Sequence, residues 1–174
     1  MLAYVFSHRP ASGVQVADYE DSLRRFHEAL ARAAPNGFVT SATFRIGGAY
    51  SDWYLLGSSA ALDDLNAAAV SGERAPIHDA AARMAAGGEG KLLSLAAGEK
   101  DSMAAGFEVR LAKPTGMTYV DLYSRLEAWN RLPGVSLWRR MMVLGPPPEF
   151  CLITPSEVEL PAEMRSEVFR REPI

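Results

Sequence analysis

PGVSLWRRMMV, residues Pro133–Val143, matches in pattern a segment 97 residues earlier, NGFVTSATFRI at Asn36–Ile46. Each follows a helix-stopping cluster, Pro133-Gly134 or Pro35-Asn36-Gly37, and each then alternates side chains along a strand-like run. Successive strand residues point to opposite faces, so the adjacent Arg139 and Arg140 are expected on different sides of one sheet. A glycine turn ends each run: Gly47-Gly48 in the earlier copy, Gly145 with three prolines in the later. A further strand follows each turn, with Trp53, Leu55 and Leu56 falling on Phe150, Leu152 and Ile153 at the same spacing of 97.

Upstream, the match continues. YVFSHRPASGV from Tyr4 answers EVRLAKPTGM from Glu108, with Ala11 as the extra residue. The stripe Val16, Tyr19, Leu23, Phe26 answers Tyr119, Leu122, Leu126, Trp129, 103 residues on. Steps of three and four put each stripe on one helical face. Each copy is therefore expected to run strand (2–8 or 106–112), helix (15–33 or 118–131), and two strands (38–46 with 52–57, or 135–144 with 149–154). Thr118 and Asp121 form a capping-box spacing at the second helix.

The first copy carries an insert, 59–88, that reads as two helices. Ser59 caps the first, and Pro76 opens the second, which stops at Gly87-Gly88 in GGEG. A fourth strand, KLLSLAA from Lys91, closes this half, and SEVFRR near the C-terminus closes the other. The halves are expected at 1–97 and 105–174, with 98–104 as linker.

Strand–helix–strand–strand–(helix)–strand is the ferredoxin-like order, an antiparallel sheet with helices on one face. Here the chain resembles the dimeric α+β barrel superfamily, which includes antibiotic-biosynthesis monooxygenase-like and stress-responsive barrel proteins. In its fused form it is similar to the layout of chlorite dismutases. The resemblance implies an α+β fold of two tandem ferredoxin-like halves whose antiparallel sheets form an α+β barrel. It rests on element order and repetition, and fold alone assigns no activity.

Strand alternation then sorts the side chains. Ala3, Val5, Phe38, Ala42, Phe44 and Ile46, with Phe107, Val109, Leu111, Val135, Leu137, Met141 and Val143, form the apolar set expected to pack on the helices. Tyr4, Phe6, His8, Ser41, Thr43 and Arg45, with Glu108, Arg110, Trp138, Arg140 and Met142, form a mixed set. If the sheets face each other, the mixed set lines the space between them, and Glu108 pairs with arginines there. Tyr4, Phe6, Arg45, Arg110, Trp138 and Arg140 are then ligand-binding candidates, suited to a small hydrophobic or anionic molecule. His8 is the best acid–base candidate, because histidine titrates near neutrality, and in the enzyme that the resemblance implies His8 or Glu108 would move a proton. The competing readings are a solvated face and a homodimer interface.

The remaining histidines read as structural. His27 is expected to be solvated, and His78 to sit on an insert helix beside Ile77, Ala81 and Met84. The resemblance to chlorite dismutases would put a haem-ligating histidine in the second half, which has none. No metal or other cofactor is indicated: there is no GxGxxG after a strand, Walker loop, HExxH or GxSxG.

Bulk properties set outer bounds. The 174 residues are 48% hydrophobic and 22% charged, within the range of ordinary globular chains. A net charge of −3 argues against general nucleic-acid binding. No apolar run approaches the roughly 20 residues a membrane helix needs. The N-terminus reads as a first strand and not a signal peptide. Cys151 is the only cysteine, so no intrachain disulfide can form, and a cytoplasmic protein is expected. The function expected is small-molecule binding between the sheets. The alternatives are cofactor-independent oxygenation of an aromatic or polyketide-like compound, which the resemblance implies, and a non-catalytic homo-oligomeric interaction module.

Overall fold

The computed structural model describes residues 1–100, 102–104, 106–142 and 147–174. The expected strand end at Val143-Leu144, the Gly145-Pro146 part of the turn, and two residues in and beside the expected linker lie outside these. The chain divides into two compact units, Met1–Gly90 with Pro173–Ile174, and Lys91–Glu172. The fold is α+β, with a ferredoxin-like order of elements in each unit.

The first unit contains β1 (Leu2–Pro10), α1 (Val16–Arg32), β2 (Phe38–Ile46), β3 (Ala49–Leu56), α2 (Ala60–Ala69), α3 (Ala75–Met84) and the first part of β4 (Ala85–Gly98). The strand order is β4-β1-β3-β2, and β3 pairs antiparallel with both β1 and β2. The Ile174 N–H donates to the Thr43 carbonyl on β2 (3.2 Å).

The register of this sheet decides where chemistry can occur. Tyr4 pairs with Tyr54, Phe6 with Asp52 and His8 with Tyr50, while Thr43 lies opposite Asp52 and Arg45 opposite Tyr50. Cross-strand partners share a face. This face packs on the helices: Tyr4, Tyr54 and Leu56 meet Phe26 and Leu30 of α1 and Leu65 of α2, and Tyr50 meets Tyr19 and Leu23 of α1 and Ala81 of α3. The expected facing in this half is thus reversed. Ala3, Val5, Ala42, Phe44 and Ile46 point away from the helices, and the mixed set of Tyr4, Phe6, His8, Ser41, Thr43 and Arg45 points toward them. A bulge between Phe38 and Thr40 puts Phe38 on the helix side as well. Apolarity misassigned the faces because both are buried, with Ala3, Val5, Phe44 and Trp53 covered as fully as Tyr54.

A second correction concerns GGEG. Gly87 and Gly88 do not stop a helix; α3 ends at Met84 and β4 begins at Ala85. A Cβ on Gly88 would fall 2.4 Å from Phe6 Cζ, and one on Gly90 2.5 Å from the Tyr4 hydroxyl. The aromatic side chains of β1 lean over these positions, so the strand needs glycine there.

The second unit contains β5 (Phe107–Leu111), α4 (Tyr119–Asn130), β6 (Ser136–Arg140), β7 (Phe150–Thr154), β8 (Glu167–Arg170) and the later part of β4. Its order is β8-β5-β7-β6, so first, second, third and fourth strands take the same places as in the first unit. Later β4 residues extend this sheet beside β6. Here the expected facing holds: Val109, Leu111, Leu137, Phe150 and Leu152 pack against Leu122 and Leu126 of α4. Full burial of each such leucine contributes about 1.5–3 kcal/mol. The Asp121 N–H donates to Thr118 Oγ1 (3.1 Å), capping α4 as its spacing predicts.

The two arginines of the opening stretch separate. Arg139 lies over the Tyr119 ring of α4 (4.2 Å to the centroid), with Glu149 at 3.8 Å. Arg140 shares the opposite face with Trp138, and its Nε donates to the Met142 carbonyl (2.7 Å).

Candidate functional site: a buried Tyr–His–Asp cluster beside an aromatic cavity

An open cavity of about 710 Å³ lies in the first unit, between the helix-facing side of its sheet and its helices. Its lining includes Tyr4, Phe6, His8 and Tyr54 from the strands, Tyr19 and Phe26 from α1, and His78 and Ala81 from α3. Alternate positions of β1 put Tyr4, Phe6 and His8 in a row. Their rings stack in sequence, Tyr4–Phe6 at 6.4 Å and Phe6–His8 at 5.4 Å, and the row continues to Tyr54 and Tyr50 on β3. Such contacts suit a planar aromatic guest.

Polar groups are built into this wall. His8, only 3% exposed, meets the Tyr19 hydroxyl at Nδ1. Its Nε2 approaches Asp52 Oδ2 at 3.2 Å, an ion-pair approach and not an aligned hydrogen bond. Asp52 is also buried. It accepts from the Thr43 hydroxyl at Oδ1 (2.6 Å) and from the Tyr54 hydroxyl at Oδ2 (3.2 Å). His27 stands behind Thr43, with Nε2 2.8 Å from Thr43 Oγ1 and Nδ1 2.6 Å from Ser41 Oγ.

Proton positions follow from these contacts. Burial alone would push the Asp52 carboxyl up, but the His27 and His8 rings, 3.6 and 3.2 Å away, outweigh it and hold it well below the usual carboxylate range. Asp52 is therefore ionised at neutral pH. The single Thr43 hydrogen goes to Asp52, so Thr43 accepts from His27 Nε2–H. The ionised carboxylate sets the His8 hydrogen on Nε2, leaving Nδ1 to accept from Tyr19. Burial first, and then the Asp52 charge, push the Tyr19 and Tyr54 hydroxyls well above the ordinary phenol range, so both remain donors.

Of the residues expected at the site, Tyr4, Phe6 and His8 share this cavity. Arg45 does not line it: its guanidinium binds Glu20 of α1 (2.5 Å), which also accepts from Tyr50 (2.7 Å). Burial would raise the Glu20 carboxyl, but the Tyr50 and Arg45 hydrogen bonds and the Arg45 charge hold it down. Glu108, Arg110, Trp138 and Arg140 belong to the second unit and are not lining residues. There Glu108 pairs with Arg110 (2.6 Å), and Trp138 Nε1 donates to Ser136 (2.7 Å). Burial pushes the Cys151 thiol up, far from a reactive thiolate.

Asp52 and Tyr54 escaped notice in the sequence, and Tyr19 reads there only as part of the apolar stripe of the first helix. The available signal was the even spacing of Tyr50, Asp52 and Tyr54, which places all three on one strand face. His27 is not solvated as expected; it stacks on Tyr54 at 5.1 Å because the polar strand face widens the buried side of α1. His8 and His27 do not fit a haem iron, whereas His78 lines the cavity with its Nδ1 3.2 Å from Asp79. The second unit has no histidine, and both ring nitrogens of His8 and of His27 are engaged. Among the described residues no three His, Cys, Asp or Glu side chains are grouped to hold a metal ion.

No family model and no curated protein matches the chain. Solved structures do. An anthrone oxidase-like protein superposes with a TM-score of 0.61 at 10% identity, covering 99% of this chain and 91% of its own. A candidate monooxygenase from Lactobacillus acidophilus NCFM gives 0.58 at 11% identity, covering 99% and 93%. A candidate chlorite dismutase gives 0.58 at 11% identity, covering 99% and 94%. At such identities the likeness establishes a common fold across nearly the whole chain.

Proposed function

We propose that the first unit binds a planar aromatic small molecule in its cavity and that Tyr19, His8 and Asp52 move a proton from it. The observation that carries this reading is His8, fixed at the cavity wall with Tyr19 on one ring nitrogen and Asp52 on the other. The logic is that of a nucleophile–histidine–carboxylate triad, with a tyrosine hydroxyl as the outer member. As Tyr19 receives a ligand proton, its own passes to His8 Nδ1, and Asp52 stabilises the imidazolium. Full burial of Tyr19 keeps bulk water off the relay, and catalytic hydrogen bonds of this kind tighten when substrate binds.

The names of two fold neighbours, anthrone oxidase-like and monooxygenase, favour oxidation of an enolisable aromatic. Loss of a ring-methylene proton leaves a carbanion that dioxygen can oxidise without a cofactor. Overall, the CH2 group and O2 become a carbonyl and water. The chain supplies binding, proton removal and proton return.

Oxygen uptake with a hydroxylated anthrone tests this. Wild-type protein is expected to consume oxygen above the buffer rate. His8→Gln should lower kcat by about 10²–10⁴-fold while the compound still binds. Undiminished turnover in His8→Gln would overturn the relay.

A further inference from the structure

Resting on that reading, we infer that the cavity accepts its ligand in the uncharged form and discriminates against carboxylated or otherwise anionic aromatics. Two carboxylates line it, Asp52 on the wall and Asp63 on α2, and among the described residues no lysine or arginine does. The cation best placed to serve it from the strands, Arg45, is bound to Glu20. Arg9 lies alongside Gly87 at the rim but outside the lining.

The charge count around the relay sharpens the point. Thr43 and Tyr54 give the Asp52 carboxylate neutral hydrogen bonds, and among the described residues no lysine or arginine of the lining offsets its charge. An anion arriving from solvent meets that charge in a largely aromatic, low-dielectric setting, where repulsion is strong. An anion formed in place differs, because its proton has moved through Tyr19 to His8 and an imidazolium now stands beside Asp52. The geometry therefore favours a neutral acid entering and its conjugate base appearing only together with protonated His8. An anionic ligand therefore enters only together with a proton.

Matched probes read this directly: 2-naphthol, uncharged at neutral pH, and 2-naphthoate, titrated into full-length protein by calorimetry in buffers of different ionisation heat. The naphthol is expected to bind tighter by on the order of tenfold without net proton exchange. The naphthoate should bind with uptake of about one proton per site. Asp63→Asn, an exposed change that leaves the buried network intact, should narrow the affinity gap. Equal or tighter naphthoate binding, or naphthoate binding without proton uptake, overturns the inference while leaving a ligand cavity in place. Failure of both probes to bind overturns the cavity reading and this inference with it. Selective naphthol binding alongside undiminished anthrone turnover in His8→Gln upholds this inference and removes the relay.

Discussion

Both ring nitrogens of His8 are engaged, so in the proposed relay the Tyr19 hydroxyl, and not the imidazole itself, is the point a ligand proton would reach. Tyr19→Phe removes that point and strands a buried acceptor on His8. Thermal or denaturant unfolding should show a loss of about 1–3 kcal/mol, with the loss of turnover falling on kcat more than on KM. Asp52 contributes differently. Its folded-state pKa lies below that of the unfolded chain, so its stabilisation is present at neutral pH and disappears as pH falls below about 4. Wild-type stability is expected to drop on acidification through that window. Asp52→Asn should start less stable at neutral pH, by about 3–5 kcal/mol for a broken buried pair, and lose less on acidification. Parallel pH–stability curves for the two proteins would contradict this.

At the scale of elements, the strands hold more information than their polarity pattern reveals. Alternation correctly separated Tyr4, Phe6 and His8 from Ala3 and Val5, and Val109 and Leu111 from Glu108 and Arg110. It could not say which set meets a helix, because a strand buried on both faces carries no solvent side to mark. In the second unit α4 is plainly apolar toward its sheet. In the first, α1 brings Tyr19, Glu20 and His27 to the sheet, and that polar side was the legible cue. Glycine positions were misread for a related reason, since the demand for them comes from neighbouring side chains and not from chain turning. Gly88→Ala should force the Phe6 ring toward the cavity and weaken naphthol binding with little change in secondary structure. Gly98→Ala is a sterner case. Its Cβ would fall 2.2 Å from the Val135 carbonyl oxygen at a positive φ of 82°. About 3 kcal/mol of stability should be lost on unfolding by urea.

Across the whole molecule, element order was the most readable feature, because turn residues and helical stripes recur even where identities do not. The same strand order in both units and a fold shared with three solved structures over 99% of the chain agree with that order. Chemistry did not recur with it. The row Tyr4, Phe6 and His8 with Asp52 on the helix side of the sheet distinguishes the first unit, whereas the first strand of the second unit presents Val109 and Leu111 to its helix. A ligand confined to the first unit's cavity should therefore be indifferent to Arg140→Ala, with calorimetric affinity unchanged. The proposed function stands most directly on anaerobic exchange of an anthrone's methylene hydrogens with deuterium from solvent, since this reads proton removal with oxygen chemistry absent. Wild-type protein should accelerate exchange well above buffer, and His8→Gln and Tyr19→Phe should not; equal acceleration by all three would contradict a proton relay through Tyr19 and His8.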